Sequence, residues 1–241
     1  MRALVFASRN RKELLRDPTT LIVGVGLPVV LLAMFSLMQR NIPFDLYRID
    51  SLLPGVAVFS FSFVALFSGL LLGKDKSSSF LLRIFSSPLT AADYIIGYTL
   101  PLFLFAFIQS LVCFAAAFGF GLAFNGRAFV AFVALIPAAA LYVGFGLLFG
   151  AAFTDRQVGG IFGVFVNVTT WLSGTFFDPA LLGGVYVRIA NLLPFAHAVA
   201  AARAALSGDY AAILPHLAWV VGYGVLVYAG AILIFKKKMR A

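Results

Sequence analysis

The sequence predicts an all-α integral membrane protein: six transmembrane helices, an N-terminal interfacial helix, a short helix in a cytoplasmic loop and outer re-entrant helices. Three observations predict it. Six apolar stretches without a charged residue run over 19–38, 52–73, 94–124, 128–153, 158–177 and 217–235. Each supplies about the 20 apolar residues a helix needs to cross roughly 30 Å of hydrocarbon. None alternates apolar with polar residues as a barrel strand does, so a helix is what satisfies each backbone in lipid. The composition agrees, with 62% hydrophobic and only 11% charged residues, far from the balance of a soluble domain. No polar segment is long enough to fold separately, so residues 1–241 form a single transmembrane domain.

Segment 1–18 comes first. Ala3, Phe6, Ala7, Asn10 and Leu14 fall on one helical face, and Arg9, Arg11, Lys12, Glu13 and Arg16 on the other. This pattern fits an interfacial helix whose basic face meets anionic headgroups; the alternative is a basic flank that only sets topology. Pro18 breaks the chain before the first span. That span is long and has no small-residue cleavage pattern beside it, so it is not a cleavable signal.

Charge placement sets the topology. Nine basic residues flank the spans at the two ends: Arg2, Arg9, Arg11, Lys12 and Arg16 before the first, and Lys236, Lys237, Lys238 and Arg240 after the last. The loop 74–93 adds Lys74, Lys76 and Arg83 to the same side. An excess of Lys and Arg marks the cytoplasmic side, so both termini are expected there. The net charge of +9 is thereby a membrane signal, not one for nucleic acid.

Two further segments have their own character. In the loop 74–93, Ser77, Ser78 and Ser79 offer N-caps to a short helix that Pro88 ends. Phe80, Leu81, Ile84 and Phe85 share one face of it; Arg83, Ser86 and Ser87 share the other. The apolar face requires a partner: the protein's own helix ends, lipid headgroups or another protein. On the outer side, 178–216 is moderately apolar but broken by Pro179, Gly183, Gly184, Pro194, Gly208 and Pro215. Its runs are too short to span and read as re-entrant or interfacial helices.

The chemistry is mostly excluded. The single cysteine, Cys113, lies within a span. His197 and His216 have no metal-binding spacing, and the Gly69-to-Lys74 stretch fails as a phosphate loop because Asp75 stands where Ser or Thr must meet magnesium. The chain should bind no cofactor itself. Gly69/Gly73, Gly146/Gly150 and Gly159/Gly163 are small-x-x-x-small pairs suited to close helix packing in lipid. Pro28, Pro101 and Pro137 should kink their spans. Mid-membrane polar groups are neutral (Ser60, Ser62, Gln109, Asn167, Thr169, Thr170), whereas ion-coupled pumps usually place charged groups in their pathway. Any uphill transport would draw energy from another subunit, and a neutral, phenylalanine-rich interior favours amphiphilic or lipophilic cargo.

Taken in order, several fragments carry a family resemblance. They are Leu15-Arg16-Asp17-Pro18, Leu53-Pro54-Gly55, Arg83-Ile84-Phe85-Ser86-Ser87-Pro88-Leu89-Thr90 and Tyr94-Ile95-Ile96-Gly97. Ser173-Gly174-Thr175-Phe176-Phe177 and Leu193-Pro194-Phe195-Ala196-His197 with Arg203 complete the set. With the six-span frame, the chain resembles the membrane (permease) subunit of a type-2 ATP-binding-cassette exporter, the group of drug, lipid and polysaccharide exporters. The resemblance implies a second permease subunit, identical or related, and a separate cytoplasmic ATPase subunit holding ATP and Mg. It makes 1–18 a connecting helix, 77–90 a coupling helix and 178–216 the re-entrant cap. The expected ATPase contacts are Glu13, Phe80, Leu81, Arg83, Ile84, Phe85, Ser87 and Pro88. Phe59, Phe63, Gln109, Asn167 and Thr170 are the expected substrate path near the dimer axis. The departure from the family pattern is Lys74-Asp75-Lys76 running into three serines. Competing readings are export of a lipid-linked polysaccharide, a non-transport membrane assembly or channel subunit, and a membrane enzyme, which the missing catalytic constellation disfavours.

Overall fold

The computed structural model describes residues 2–43, 47–78, 90–176 and 183–238. These form helices and no strands. α1 (Arg2–Arg16) is followed by α2 (Pro18–Leu21), a π-helical turn (Ile22–Gly26) and α3 (Leu27–Gln39), which together make the first apolar crossing. α4 (Ile49–Ser77), α5 (Ala91–Gly119), α6 (Gly126–Ala134) and α7 (Ile136–Ala152) come next. α8 (Asp155–Ser173), α9 (Gly184–Leu192), α10 (Pro194–Ser207) and α11 (Tyr210–Lys238) complete the chain.

By length and composition, five helices or joined pairs can cross a membrane: Pro18–Gln39, Ile49–Ser77, Ala91–Gly119, Gly126–Ala152 and Tyr210–Lys238. Counting the bent α9–α10 pair as one span makes six. The expected fifth span falls on α8, a helix of 19 residues, about 28 Å long at 1.5 Å per residue. It is less apolar than the five because it begins Asp155-Arg156-Gln157 and exposes Gly159, Gly160, Gly163 and Asn167.

Local chemistry fixes the ends. Asp17 caps α2, accepting from the Thr19 amide at 3.1 Å and the Thr20 hydroxyl at 2.7 Å. The Thr20 bond holds its carboxyl below the ordinary value. Thr90 and Asp93 form a capping box at the start of α5, and Thr154 with Gln157 forms one at the start of α8, each satisfying orphan N–H groups. Gly174 and Gly208 end α8 and α10 in the left-handed region (φ 71° and 90°), where a side chain is disfavoured. Of the three span prolines, Pro28 follows the π-helical turn, Pro137 follows the Leu135 break between α6 and α7, and Pro101 sits in an unbroken α5.

α4 is the hub. It packs on α3, α5, α7, α8 and α10, and most of its length is buried. Its tightest contact is with α7. A β-carbon added at Gly146 would lie 2.1 Å from the Ala65 carbonyl oxygen, and one at Gly150 would lie 2.7 Å from that of Gly69. Backbone thus meets backbone, as small residues permit in lipid. Gly159 and Gly163 have no neighbour within 4 Å of such an atom, so this pair closes no contact among the described residues.

Three sequence boundaries need correction. The loop drawn at 74–93 is helical through Ser77, because Leu71 and Asp75 continue the buried face of α4 for another turn. The helix placed over 77–90 therefore cannot begin at Ser77; residues 79–89 lie outside the described residues. The last helix starts at Tyr210, not Leu217, so Pro215 and His216 lie within it. Pro215 is tolerated there because the Ala211 carbonyl it frees belongs to an exposed residue at the helix start.

Candidate functional site

α1 lies against α5 at the end of the bundle where α4, α7 and α11 finish. Phe6 inserts edge-on between Tyr94 and Tyr98, with ring centroids 5.6 and 5.0 Å away. The fully buried Asn10 donates to the Gly97 carbonyl at 3.1 Å. The amphipathic helix is thus bolted to the protein by its buried face: Phe6, Ala7, Asn10 and Leu14.

Beside it is a charged latch. Arg9 donates to both oxygens of Asp75 at 2.5 and 2.9 Å, and the Tyr98 hydroxyl donates to Asp75 at 2.7 Å. Arg9 also pairs with Glu13 at 2.6 Å, and Glu13 with Lys74 at 3.3 Å. The Asp75 side chain is only 4% exposed against 35% for Arg9. A carboxylate so buried is held by its three donors. Burial, which lowers it, is outweighed for Arg9 by the bond and attraction of Asp75, which leave the guanidinium more basic than usual. The latch joins α1, α4 and α5 close to the end of α4 at Ser77. Next to it, Lys76 donates to the carbonyls of Gly150, Ala151 and Phe153, and Lys238 to that of Ala152 at 3.0 Å. Two lysines from α4 and α11 cap the C-terminus of α7, where orphan carbonyls and the helix dipole favour cations.

The opposite end carries a clasp. Arg203 on α10 donates to the Ser51 carbonyl at 3.1 Å and the Gly174 carbonyl at 2.9 Å. The Thr175 hydroxyl reaches the Gly55 carbonyl at 3.2 Å, and a β-carbon at Gly55 would lie 2.6 Å from the Thr175 carbonyl oxygen. Leu53-Pro54-Gly55, Ser173-Gly174-Thr175 and Arg203, distant in sequence, meet here. His197 ties the α9–α10 bend of 86° to α11. Its Nδ1 lies 2.8 Å from His216 Nδ1, its Nε2 lies 2.9 Å from the Asn191 carbonyl, and its ring stacks on Trp219.

Of the ATPase contacts expected from sequence, Phe80, Leu81, Arg83, Ile84, Phe85, Ser87 and Pro88 lie outside the described residues, and Glu13 sits in the latch. The expected path residues divide. Phe59 and Phe63 stack edge-on 5.4 Å apart on α4, and Phe59 meets Phe176 at 5.8 Å. Asn167 and Thr170 lie on α8, bonded back to the Gly163 and Val166 carbonyls at 2.8 and 2.6 Å. The two groups flank the Ser62–Thr169 hydroxyl contact of 3.1 Å that joins α4 to α8. Gln109 is enclosed on α5, 1% exposed, with neither amide atom hydrogen-bonded among the described residues. The latch, the lysine caps and the clasp were missed from sequence. One signal was present for the latch: Asp75 stands four residues after Leu71, on the buried face of a continuing helix.

The fold and these two ends define a polytopic helical membrane protein whose interfacial helix is fastened to its spanning bundle. The family model of the ABC-2 type transporter matches residues 2–207. The chain belongs to the ABC-2 type transporter family: it is an ABC transporter permease, and membership implies assembly with an ATPase subunit. No curated protein matches it.

Proposed function

We propose that the chain is the permease subunit of an ATP-driven exporter of amphiphilic or lipophilic substrates in a bacterial-type plasma membrane. It works as a pair with an identical or related permease, and ATP and Mg are handled by a separate cytoplasmic subunit. Both termini, and hence the latch, face the cytoplasm. The observation that carries the reading is the latch itself. A buried carboxylate fastens α1, α4 and α5 where segment 79–89 joins α4 to α5, so a push on that segment is borne by three helices together. The substrate class is supported by the exposed side of α8. From Gly159 to Trp171 it carries glycines, valines, Asn167 and Trp171 and no charge, which suits both a second permease and an apolar cargo path.

The test is co-purification with a co-expressed ABC ATPase, followed by ATP-dependent efflux of an amphiphilic dye from proteoliposomes. Phe85→Asp adds a carboxylate to the apolar face of the proposed coupling helix, which is costly if that face is buried in a partner. It should insert normally yet lose ATPase association or transport. Normal assembly and efflux in this variant would move the dock elsewhere.

A further inference from the structure

α1 has another flank, away from the latch, that meets α5. There α1 and α5 enclose a groove of about 520 Å³. Leu4 on α1 and Leu100, Leu104 and Phe107 on α5 form its walls, while Ser8 and Arg11 stand at its mouth. Leu100 and Leu104 are exposed on a spanning helix, so the groove runs from the interface along the lipid-facing surface. The seven helical steps from Leu100 to Phe107 cover about 10 Å of depth.

The charges at this end are distributed unevenly. Glu13 is engaged by Arg9 and Lys74, Asp75 by Arg9 and Tyr98, Asp17 by Thr19 and Thr20, and Asp93 by Thr90. Arg11 forms no ion pair or hydrogen bond among the described residues. A guanidinium with no acid beside it, a hydroxyl one turn away and an apolar groove beneath match one chemistry: a phosphate carrying acyl chains.

We infer that this groove binds an anionic glycerophospholipid, its phosphate on Arg11 and Ser8 and one acyl chain along Leu100 and Leu104. The inference rests on the membrane placement of α5 and not on the transport reading, and its test uses no substrate or ATPase. The bound lipid fills the wedge between α1 and α5 on the side lined by Leu4, Ser8, Leu100 and Leu104. Arg and its alkyl stem suit this role at a membrane interface.

Dioleoyl phosphatidylglycerol or dioleoyl phosphatidylcholine is titrated into the purified full chain in detergent, and retained lipid is counted by native mass spectrometry. The anionic lipid should be retained about tenfold more tightly, the scale of one charge-assisted hydrogen bond. Arg11→Gln should remove that preference, and Leu104→Trp should reduce retention by filling the groove. Both positions are exposed, so folding is spared. Lys12→Gln, on the neighbouring face of α1, should change retention less than about twofold. Equal retention of the two lipids overturns the proposal. So does an equal loss in the Arg11 and Lys12 variants, which marks diffuse attraction, or unchanged retention in Arg11→Gln or Leu104→Trp, which leaves the groove to a protein partner.

Discussion

Breaking the latch from its two sides should have unequal consequences. In Arg9→Gln the Asp75 carboxylate stays where it is, 4% exposed, and keeps only the Tyr98 hydroxyl and a neutral amide. Stranding a buried charge costs about 3–5 kcal/mol. In Asp75→Asn the stranded group is Arg9, which is 35% exposed and keeps Glu13 at 2.6 Å. It can turn to water, so the loss is closer to that of one charge-assisted hydrogen bond, about 1.5–3 kcal/mol. The double variant removes both charges and lets two amides pair. It should be more stable than the sum of the single losses by roughly 0.5–3 kcal/mol, the range for residues in contact. The assay is built into the chain: Cys113 is its one cysteine and is buried in α5. A thiol-reactive fluorogenic dye therefore reports unfolding of the purified protein on heating. Arg9→Gln should unfold at the lowest temperature. If Arg9→Gln is no worse than Asp75→Asn, or the two losses simply add, Asp75 is not the buried charge that organises this end.

Three more outcomes are expected. Gly146→Val should abolish a monodisperse product on size-exclusion chromatography, because its side chain would enter the Ala65 backbone, whereas Gly163→Ala should fold normally in open space. Arg203→Ala should lower the unfolding temperature by the equivalent of about 1.5–3 kcal/mol, since two part-buried carbonyls lose a charged donor; Arg203→Lys should recover part of it. Asn167→Trp and Thr170→Trp should slow dye efflux while leaving ATPase co-purification intact, and unchanged efflux in both would move the path away from α8.

The fold was legible because lipid imposes a simple demand. Apolar runs of sufficient length appear as helices at nearly the expected places, and Phe6, Ala7, Asn10 and Leu14 share one helical face as their periodicity implied, but that face is buried against α5. Helix ends were less legible. Asp75 and Lys76 look like a polar loop in sequence, and only the bundle supplies the arginine, tyrosine and carbonyls that make them interior and capping residues. The clasp was illegible for a related reason. Arg203 and Gly55 are 148 positions apart, and nothing local to either indicates that the other lies near. The bent pair was anticipated because Gly183, Gly184 and Pro194 punctuate it, whereas Pro215 misled, since a proline near a helix start breaks nothing that water cannot satisfy.

The crossing of α4 and α7 has a mechanical meaning. At Gly69, Gly146 and Gly150 there are no side chains to compress, so backbone meets backbone and the two helices cannot approach further. About 12 Å of helix lies between Gly69 and Ser77, and about 21 Å between Gly69 and Gly55. Were α4 to tilt there as a rigid rod, a displacement of its Ser77 end would be enlarged nearly twofold at Gly55, which stands against the Thr175 backbone.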